Sequence, residues 1–516
     1  MSILRRHAGI VAVLAAGIGL RLVLAYVVFP NQGLAPDLGF FTSWARTLAS
    51  AGPGGFYESA QSANYPPGYP YLLWIIGLVA QPIAALTGQS ADQAILELLK
   101  LPAMGADVLL ALLLYRAGSR WMSRRAGIVA AALYLFIPVT WYDSALWGQV
   151  DALGALVMLA ALFLLVEGWS EAAAALGAFS ILVKPQDGIV LFVIAPVLVR
   201  RHLLRVGSGP MPAIHGRLAG LDRALGGLLH EPGAVRLGTS AVAAGLALII
   251  PLLPFDIIRL APASLADVPV IGHVAGLVSL VLSASGQFSV LTVNAYNPWA
   301  LVGPQPLAAL MGGSGGAWTA DSLQVLAGIP AYLLSAILLG AAVLVVMAGL
   351  LRRDGWLPIF LGFSILALAF YLLPTRVHER YLFPFFASGA LLAASAAGWL
   401  AGYAGVGLLN AVNIHAVLAA PLTVSFGGGG FGGFGGGRAG SGAGGFGFGG
   451  GPLRGLATDI ALPFASLARS EIAITAVALG QAAALAALLV AWAFVVLRPR
   501  HPVASSVTSR TRALSG

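Results

Sequence analysis

Arg376-Val377-His378-Glu379-Arg380-Tyr381 places four ionisable side chains within five positions of a chain in which only 9% of residues are charged. Apolar runs at 357–374 and 382–400 flank it. An Arg or an acid at the centre of a bilayer costs about 2.5 to 3.5 kcal/mol on insertion scales, so the run belongs at a membrane edge or on a wet cavity. Either position suggests a polar ligand. Two arginines four residues apart lie about 40° from one another on a helix, and guanidinium pairs phosphate in bidentate fashion. The stretch therefore reads as a phosphate-holding site at a membrane surface.

The surrounding composition agrees with a membrane setting. The 516 residues are 59% hydrophobic, mean hydropathy is +0.90, and there is no cysteine. This predicts an all-α polytopic integral membrane protein rather than a soluble enzyme of several domains. Without cysteine, disulfides, iron–sulfur clusters and thiolate zinc sites are excluded. The net charge of +9 arises from 28 Lys and Arg against 19 Asp and Glu, mostly in short clusters between apolar runs. That pattern marks membrane topology, and no nucleic-acid partner is expected.

The first apolar run, 9–29, follows Arg5, Arg6 and His7 and is interrupted only by Arg21. It exceeds the roughly 7 to 15 apolar residues of a cleaved signal, so it reads as a first span with a cytoplasmic N-terminus. Further runs lie near 69–86, 99–115, 126–142, 151–168, 172–199, 237–253, 327–351, 357–374, 382–400, 404–425 and 471–497. Lys184-Pro185-Gln186-Asp187 breaks the 172–199 run, predicting two short spans that meet at a polar corner. About 11 to 14 spans are expected.

Basic clusters at Arg200, Arg201, His202 and Arg205, at Arg217, Arg223 and Arg236, at Arg352 and Arg353, and at Arg498 and Arg500 mark the cytoplasmic face. Segments 31–68, 255–325 and 375–381 then lie on the other. Arg116, Arg120, Arg124 and Arg125 fall on the wrong face if every earlier run is a simple crossing. One early run must be re-entrant, broken or half a span. The chain divides into a transmembrane module at 1–425, a glycine-rich loop at 426–455 read as a mobile linker, a C-terminal transmembrane helix region at 456–500 and a cytoplasmic tail at 501–516.

Several constellations can carry chemistry. Asp37 heads an aromatic, partly amphipathic stretch, Leu38-Gly39-Phe40-Phe41-Thr42-Ser43-Trp44, suited to a membrane interface. Its carboxylate can take a proton from an attacking hydroxyl, or it can cap the helix that follows; both readings stay open. Asn64-Tyr65-Pro66-Pro67-Gly68-Tyr69-Pro70-Tyr71 is a stiff aromatic lead-in to the second run, fit for interfacial anchoring or for stacking on a sugar ring.

Trp141-Tyr142-Asp143-Ser144-Ala145-Leu146-Trp147-Gly148-Gln149-Val150-Asp151 carries two acids into an apolar helix, which interfacial tryptophans do not explain. Trp147, Gln149 and Asp151 are substrate-binding candidates. Lys184 offers a point charge for a phosphate, with Gln186 beside it; the alternative for Lys184 is a snorkelling side chain. Gln287-Phe288-Ser289 and Asn294-Ala295-Tyr296-Asn297-Pro298-Trp299 suit recognition of hydroxyls and ring faces, which makes Asn294, Tyr296 and Asn297 candidates.

Taken in chain order, these elements resemble the bacterial and archaeal mannosyltransferase-like proteins related to the GPI-anchor mannosyltransferases, within the GT-C glycosyltransferase superfamily. The acid after the first span, the Tyr-Pro-Pro-Gly-Tyr lead-in, Trp147-Gly148-Gln149-Val150-Asp151, Lys184-Pro185-Gln186, Asn294-Ala295-Tyr296-Asn297 and His378-Glu379-Arg380-Tyr381 carry the resemblance, which runs to about residue 400. The glycine-rich stretch departs from the family pattern.

The resemblance implies a GT-C-like bundle in the plasma membrane with a non-cytoplasmic first loop of short amphipathic helices. It implies an enzyme that moves one hexose, mannose by resemblance, from a polyprenyl-phosphate sugar to a hydroxyl of a glycan, glycolipid or protein outside the cytoplasm. Asp37 matches the base, and Arg376, His378 and Arg380 match the region engaging the lipid phosphate. The chemistry is consistent: a phosphate leaving group needs only charge stabilisation, from those residues and Lys184, while the acceptor needs a base. Tyr65 and Glu379 complete the expected substrate contacts. No metal and no cofactor is expected beyond the lipid-linked donor. A lipid-linked sugar flippase or an oligosaccharide ligase would use similar charges.

Overall fold

Long runs of Ala, Leu, Val and Ile can satisfy their backbone in hydrocarbon as helices, and the chain folds accordingly as an all-α, multi-pass membrane protein. The structure, a computed structural model, describes residues 2–206, 217–224, 227, 233–302, 319–419 and 458–498. The glycine-rich segment at 426–455 and the tail at 501–516 lie outside the described residues. Among the described helices 7 are long and apolar enough to cross a bilayer, or up to 8 if the bent pair Arg124–Phe136 and Pro138–Trp147 is one span. The remaining apolar runs form shorter helices, Asp151–Val166, Ser170–Val183, Ile271–Gly286, Trp356–Leu372 and Phe383–Ala393.

Side-chain pairings define two ends of the bundle. At one, His7 meets the Tyr115 hydroxyl at 3.3 Å, Arg120 pairs with Glu167 at 2.7 Å and Arg236 pairs with Glu171 at 3.1 Å. Arg201 joins the same end through Asp354 at 2.7 Å and the Leu165 carbonyl at 2.5 Å, and Arg353 through the Val495 carbonyl at 2.5 Å. Cations near the last carbonyls of helices complement the helix dipole, which is why these basic residues collect there.

Arg120 thus shares an end with the N-terminal helix, and the apolar run that does not change ends is Gly68–Thr87. Gly68 packs on the Leu182 backbone with no room for a Cβ, beside the opposite end. After this helix the chain stays there: Asp92 pairs with Arg46 at 2.7 Å and Gln93 donates to Asn31 at 3.0 Å. This accounts for the four arginines that a strict alternation of crossings misplaces.

Prolines set the breaks. Arg124–Phe136 and Pro138–Trp147 meet at 53°, with Pro138 following the bend. Helix Ser170–Val183 stops at Lys184, which is extended, and the chain resumes as a 3₁₀ turn, Pro185–Val190, before Leu191–Leu198. The polar corner expected at 184–187 is therefore a true hairpin between two short helices.

Two apolar cores result. The bundle core is built around Tyr134, Leu162, Ile194, Phe360 and Phe386. A second core lies in the layer covering one end, where Ala35–Ala51, Gly68–Thr87 and Ala91–Leu99 bring together Leu38, Phe41, Trp44, Tyr69 and Ile95 with Phe255. Trp147 belongs to the first core, and Val150 and Leu182 to the second. The candidate site residues sit along that seam.

One sequence expectation fails here. The 376–381 stretch is not helical: helix Trp356–Leu372 ends before Pro374, and Arg376 adopts a left-handed φ of 65°. The backbone pairs instead with the preceding loop, Arg376 N donating to the Val290 carbonyl at 3.1 Å and Val293 N to the Val377 carbonyl at 2.8 Å. Arg376 and Arg380 therefore do not share a helix face.

Candidate functional site

Helix Ala35–Ala51 begins with Pro36 in its first turn, a position where the missing N–H costs nothing. The N–H of Ala35 donates to Asp459 Oδ1 at 3.0 Å, delivered by the parallel pairing of Gln32–Gly33 with Thr458–Asp459. Asp459, not Asp37, meets that helix terminus. Asp37 stands in the first turn, half-buried, with its Oδ2 accepting from Trp147 Nε1 at 2.8 Å and from Gln149 Nε2. Both bonds fall on one oxygen. Oδ1 has no hydrogen-bond partner among the described residues and can accept a proton.

Trp147 and Gln149 reach Asp37 because of the turn that carries them. The helix widens into a π-helical turn, Tyr142–Trp147, and the Asp143 carbonyl accepts from both Gly148 N and Gln149 N, at 3.1 and 3.0 Å. Gly148 has a φ of 85°, and a Cβ there would come within 2.7 Å of the Leu38 side chain, so the turn needs glycine. Under the turn lies Lys100, 4% exposed, donating to the carbonyls of Gln32, Ala145 and Leu146 at 2.6, 2.8 and 3.2 Å.

The indole of Trp147 links the acid to the cations. Its N–H points to Asp37, and the Arg380 guanidinium lies over its ring, 5.3 Å from the centroid. Arg380 Nη1 donates to Glu379 at 2.8 Å, while its Nε is 3.8 Å from Asp151 Oδ2. Lys184 pairs with the other oxygen of Asp151 at 2.7 Å and stands 5.7 Å from the Tyr65 ring centroid. Both Arg380 Nε and Asp151 Oδ2 are buried without a hydrogen-bond partner among the described residues. The cations thus retain donors that a multi-oxygen anion could use.

Electrostatics in the 376–381 loop acts differently on His378 and Glu379. Desolvation, reinforced by Arg380 and Lys184, holds the His378 imidazole well below its usual pKa, so it is neutral at neutral pH. Burial raises the Glu379 carboxyl, opposed by Arg380 beside it. His378 is thus a neutral side chain beside two cations, Arg380 and Lys184.

Asp37, Trp147, Gln149, Asp151, Lys184, Glu379, Arg380 and Tyr65 are thus brought together. His378 adjoins them, in edge contact with Phe288 at 5.3 Å. Gln186 is half-buried at the hairpin corner, and its side chain makes no hydrogen bond to another described residue. Arg376 is engaged elsewhere: its Nε bonds Asp321 at 2.5 Å and its Nη1 the Ser285 carbonyl at 3.0 Å. Asn294 takes a left-handed φ of 60°, and its carbonyl accepts from Asn413 at 2.8 Å. Tyr296 and Asn297 are fully buried, donating to the carbonyls of Ala468 and Tyr371, both at 3.1 Å. These three hold the loop that backs 376–381.

Lys100, Asp459 and Asp321 escape the sequence reading. A lone lysine before an apolar run was the one trace of the first. Asp459 lies far along the chain beyond the glycine-rich segment, and no spacing connects it to Ala35.

No family model matches the chain and no curated protein matches it. Among solved structures it is similar to the archaeal oligosaccharyltransferase AglB from Archaeoglobus fulgidus, in complex with an inhibitory peptide and a dolichol-phosphate. That likeness has 15% identity and a TM-score of 0.38, over 80% of this chain and 51% of that one. It is also similar to ArnT from Cupriavidus metallidurans in the apo state, with 16% identity and a TM-score of 0.29, over 79% of this chain and 80% of that one. The chain spans about half the length of the oligosaccharyltransferase.

Proposed function

We propose that this protein is a GT-C-type membrane glycosyltransferase. It moves a single hexose, mannose by motif resemblance, from a polyprenyl-phosphate donor to an acceptor hydroxyl on the non-cytoplasmic face of the plasma membrane. The observation that carries the reading is the arrangement around one indole: a carboxylate at its N–H edge and a guanidinium on its face. A carboxylate that can serve as base and a cation that can stabilise an anion thus contact the same indole, and a displacement at a sugar carbon needs both groups.

In this reaction Asp37 Oδ1 takes the proton of the acceptor hydroxyl as its oxygen attacks the anomeric carbon. The bond from that carbon to the phosphate oxygen breaks, and the phosphate leaves with the electron pair as an anion. Arg380 and Lys184 stabilise the charge that develops on it. Tyr65 offers a ring face to the sugar, Gln149 fixes the base, and Arg376 shapes the loop through Asp321.

The test is incubation of the purified protein in nanodiscs with radiolabelled polyprenyl-phosphate mannose or glucose and a hydroxyl acceptor, with the product identified by mass. Addition of one hexose supports the reading. In parallel proteoliposome assays, movement of labelled lipid between leaflets without a new glycosidic bond overturns it in favour of a flippase, and transfer only from a supplied polyprenyl-pyrophosphate oligosaccharide overturns it in favour of a ligase.

A further inference from the structure

We infer that Lys100 is a positioning residue that sets the geometry of the Asp37–Trp147–Gln149 triad from beneath, holding the two segments that carry it in register. Its ammonium is buried, and its hydrogen-bond partners are three carbonyls: Gln32, Ala145 and Leu146. Gln32 precedes the helix bearing Asp37, and Leu146 is the neighbour of Trp147. The three donors of one ammonium therefore bridge the chain carrying the acid and the turn carrying its two partners.

Besides the Asp37 bonds themselves, the junction is crossed by the Leu38 side chain, which lies against Gly148, and by backbone contacts. Leu34 N donates to the Trp147 carbonyl at 3.4 Å, and a Cβ on Gly33 would stand 2.8 Å from that same carbonyl. The lysine stem lies under the turn as well, since a Cβ on Gly148 would meet Lys100 Cγ at 3.5 Å. The carbonyls of Ala145 and Leu146, at the end of the π-helical turn, and that of Gln32 accept the donors of this one side chain. A neutral side chain of similar length fills the space but leaves carbonyls unpaired, and the turn is free to shift relative to Asp37.

The kinetic half of this inference rests on Asp37 acting as the base, so the test uses a readout independent of activity. The indole N–H of Trp147 is observed by NMR on tryptophan-labelled protein in nanodiscs and assigned with Trp147→Phe. In Lys100→Met and in Lys100→Gln, which keeps one donor, the resonance is expected to move toward its position in Asp37→Asn, further in the first than in the second. Transfer at saturating donor is expected to fall about 10- to 100-fold in Lys100→Met while donor KM stays within about twofold. An unmoved resonance in folded variants overturns the inference, as does a loss carried by donor KM alone. If neither variant accumulates as folded protein, Lys100 is a folding staple and the positioning role falls. If the parent protein transfers no sugar, the proposed function fails while the resonance still decides the role of Lys100.

Discussion

Two buried arginine–aspartate pairs in this molecule are built in opposite ways. Arg21 meets Asp107 at 2.7 Å, both fully buried, and the guanidinium also donates to the carbonyls of Gly17 and Leu135 and to Thr140. Tyr134 donates to the other Asp107 oxygen at 2.5 Å. Arg380 and Asp151 stand 3.8 Å apart, and the facing atoms of each have no hydrogen-bond partner among the described residues. The first network closes on itself and ties the N-terminal helix to Leu101–Trp121 and Arg124–Phe136. The second is left open. Charge inside a membrane protein does not by itself mark a site; what separates the two is whether the buried polar atoms already have partners.

The comparison can be pressed from either side. The largest effect is expected at the acid that faces the open pair: Asp37→Asn should lower transfer about 100- to 10,000-fold with donor-lipid binding nearly intact, measured by single-turnover transfer and a binding assay. Equal transfer in variant and parent would remove Asp37 from the role of base. At the closed pair the loss should be of folding. Asp107→Ala strands a buried guanidinium, at a cost of about 3–5 kcal/mol, read as a large drop in the thermal midpoint in detergent or as loss of folded protein.

Arg380→Ala should do the reverse of Asp107→Ala, weakening polyprenyl-phosphate binding by about 10- to 100-fold, as expected for loss of charge-assisted hydrogen bonds of about 1.5–3 kcal/mol. A midpoint loss as large as that of Asp107→Ala, with binding unchanged, would make the open pair a second staple. The smallest effect concerns His378. Its imidazole titrates below its ordinary value of 6.5 in the folded protein, so the unfolded state binds more protons and stability falls as pH drops below that value. The fall in midpoint from about pH 7 to about pH 5 should be shallower in His378→Gln. Parallel curves would exclude His378 as a source of acid sensitivity.

What the sequence reveals depends on whether an interaction is local. Lys184-Pro185 announces its hairpin because proline and a cation interrupt an apolar run in place. Asp37, Trp147 and Arg380 are legible as polar residues where hydrocarbon disfavours them, although their convergence needs the fold. Arg376 misleads because helical spacing was the natural assumption for a short segment between two helices, whereas its backbone pairs with 290–293 and its side chain with Asp321. Asn294, Tyr296 and Asn297 look like a sugar-binding motif, yet the hydrogen bonds described above run to other residues of the protein: residues of one type serve a ligand or a loop, and composition does not say which. Lys100 is unreadable for the opposite reason, since its partners are backbone carbonyls that any residue supplies.

The short match between Gln32–Gly33 and Thr458–Asp459 has a consequence for how the protein is made. The carboxylate meeting the leading N–H of the helix that presents Asp37 comes 424 residues later in the chain, so it is synthesised long after that helix. A nascent chain halted before residue 458 holds every group of the triad and lacks the clasp that orders it. Asp37, Trp147 and Gln149 can thus all be present in a shortened chain while the N–H that opens the Asp37 helix is left without its carboxylate.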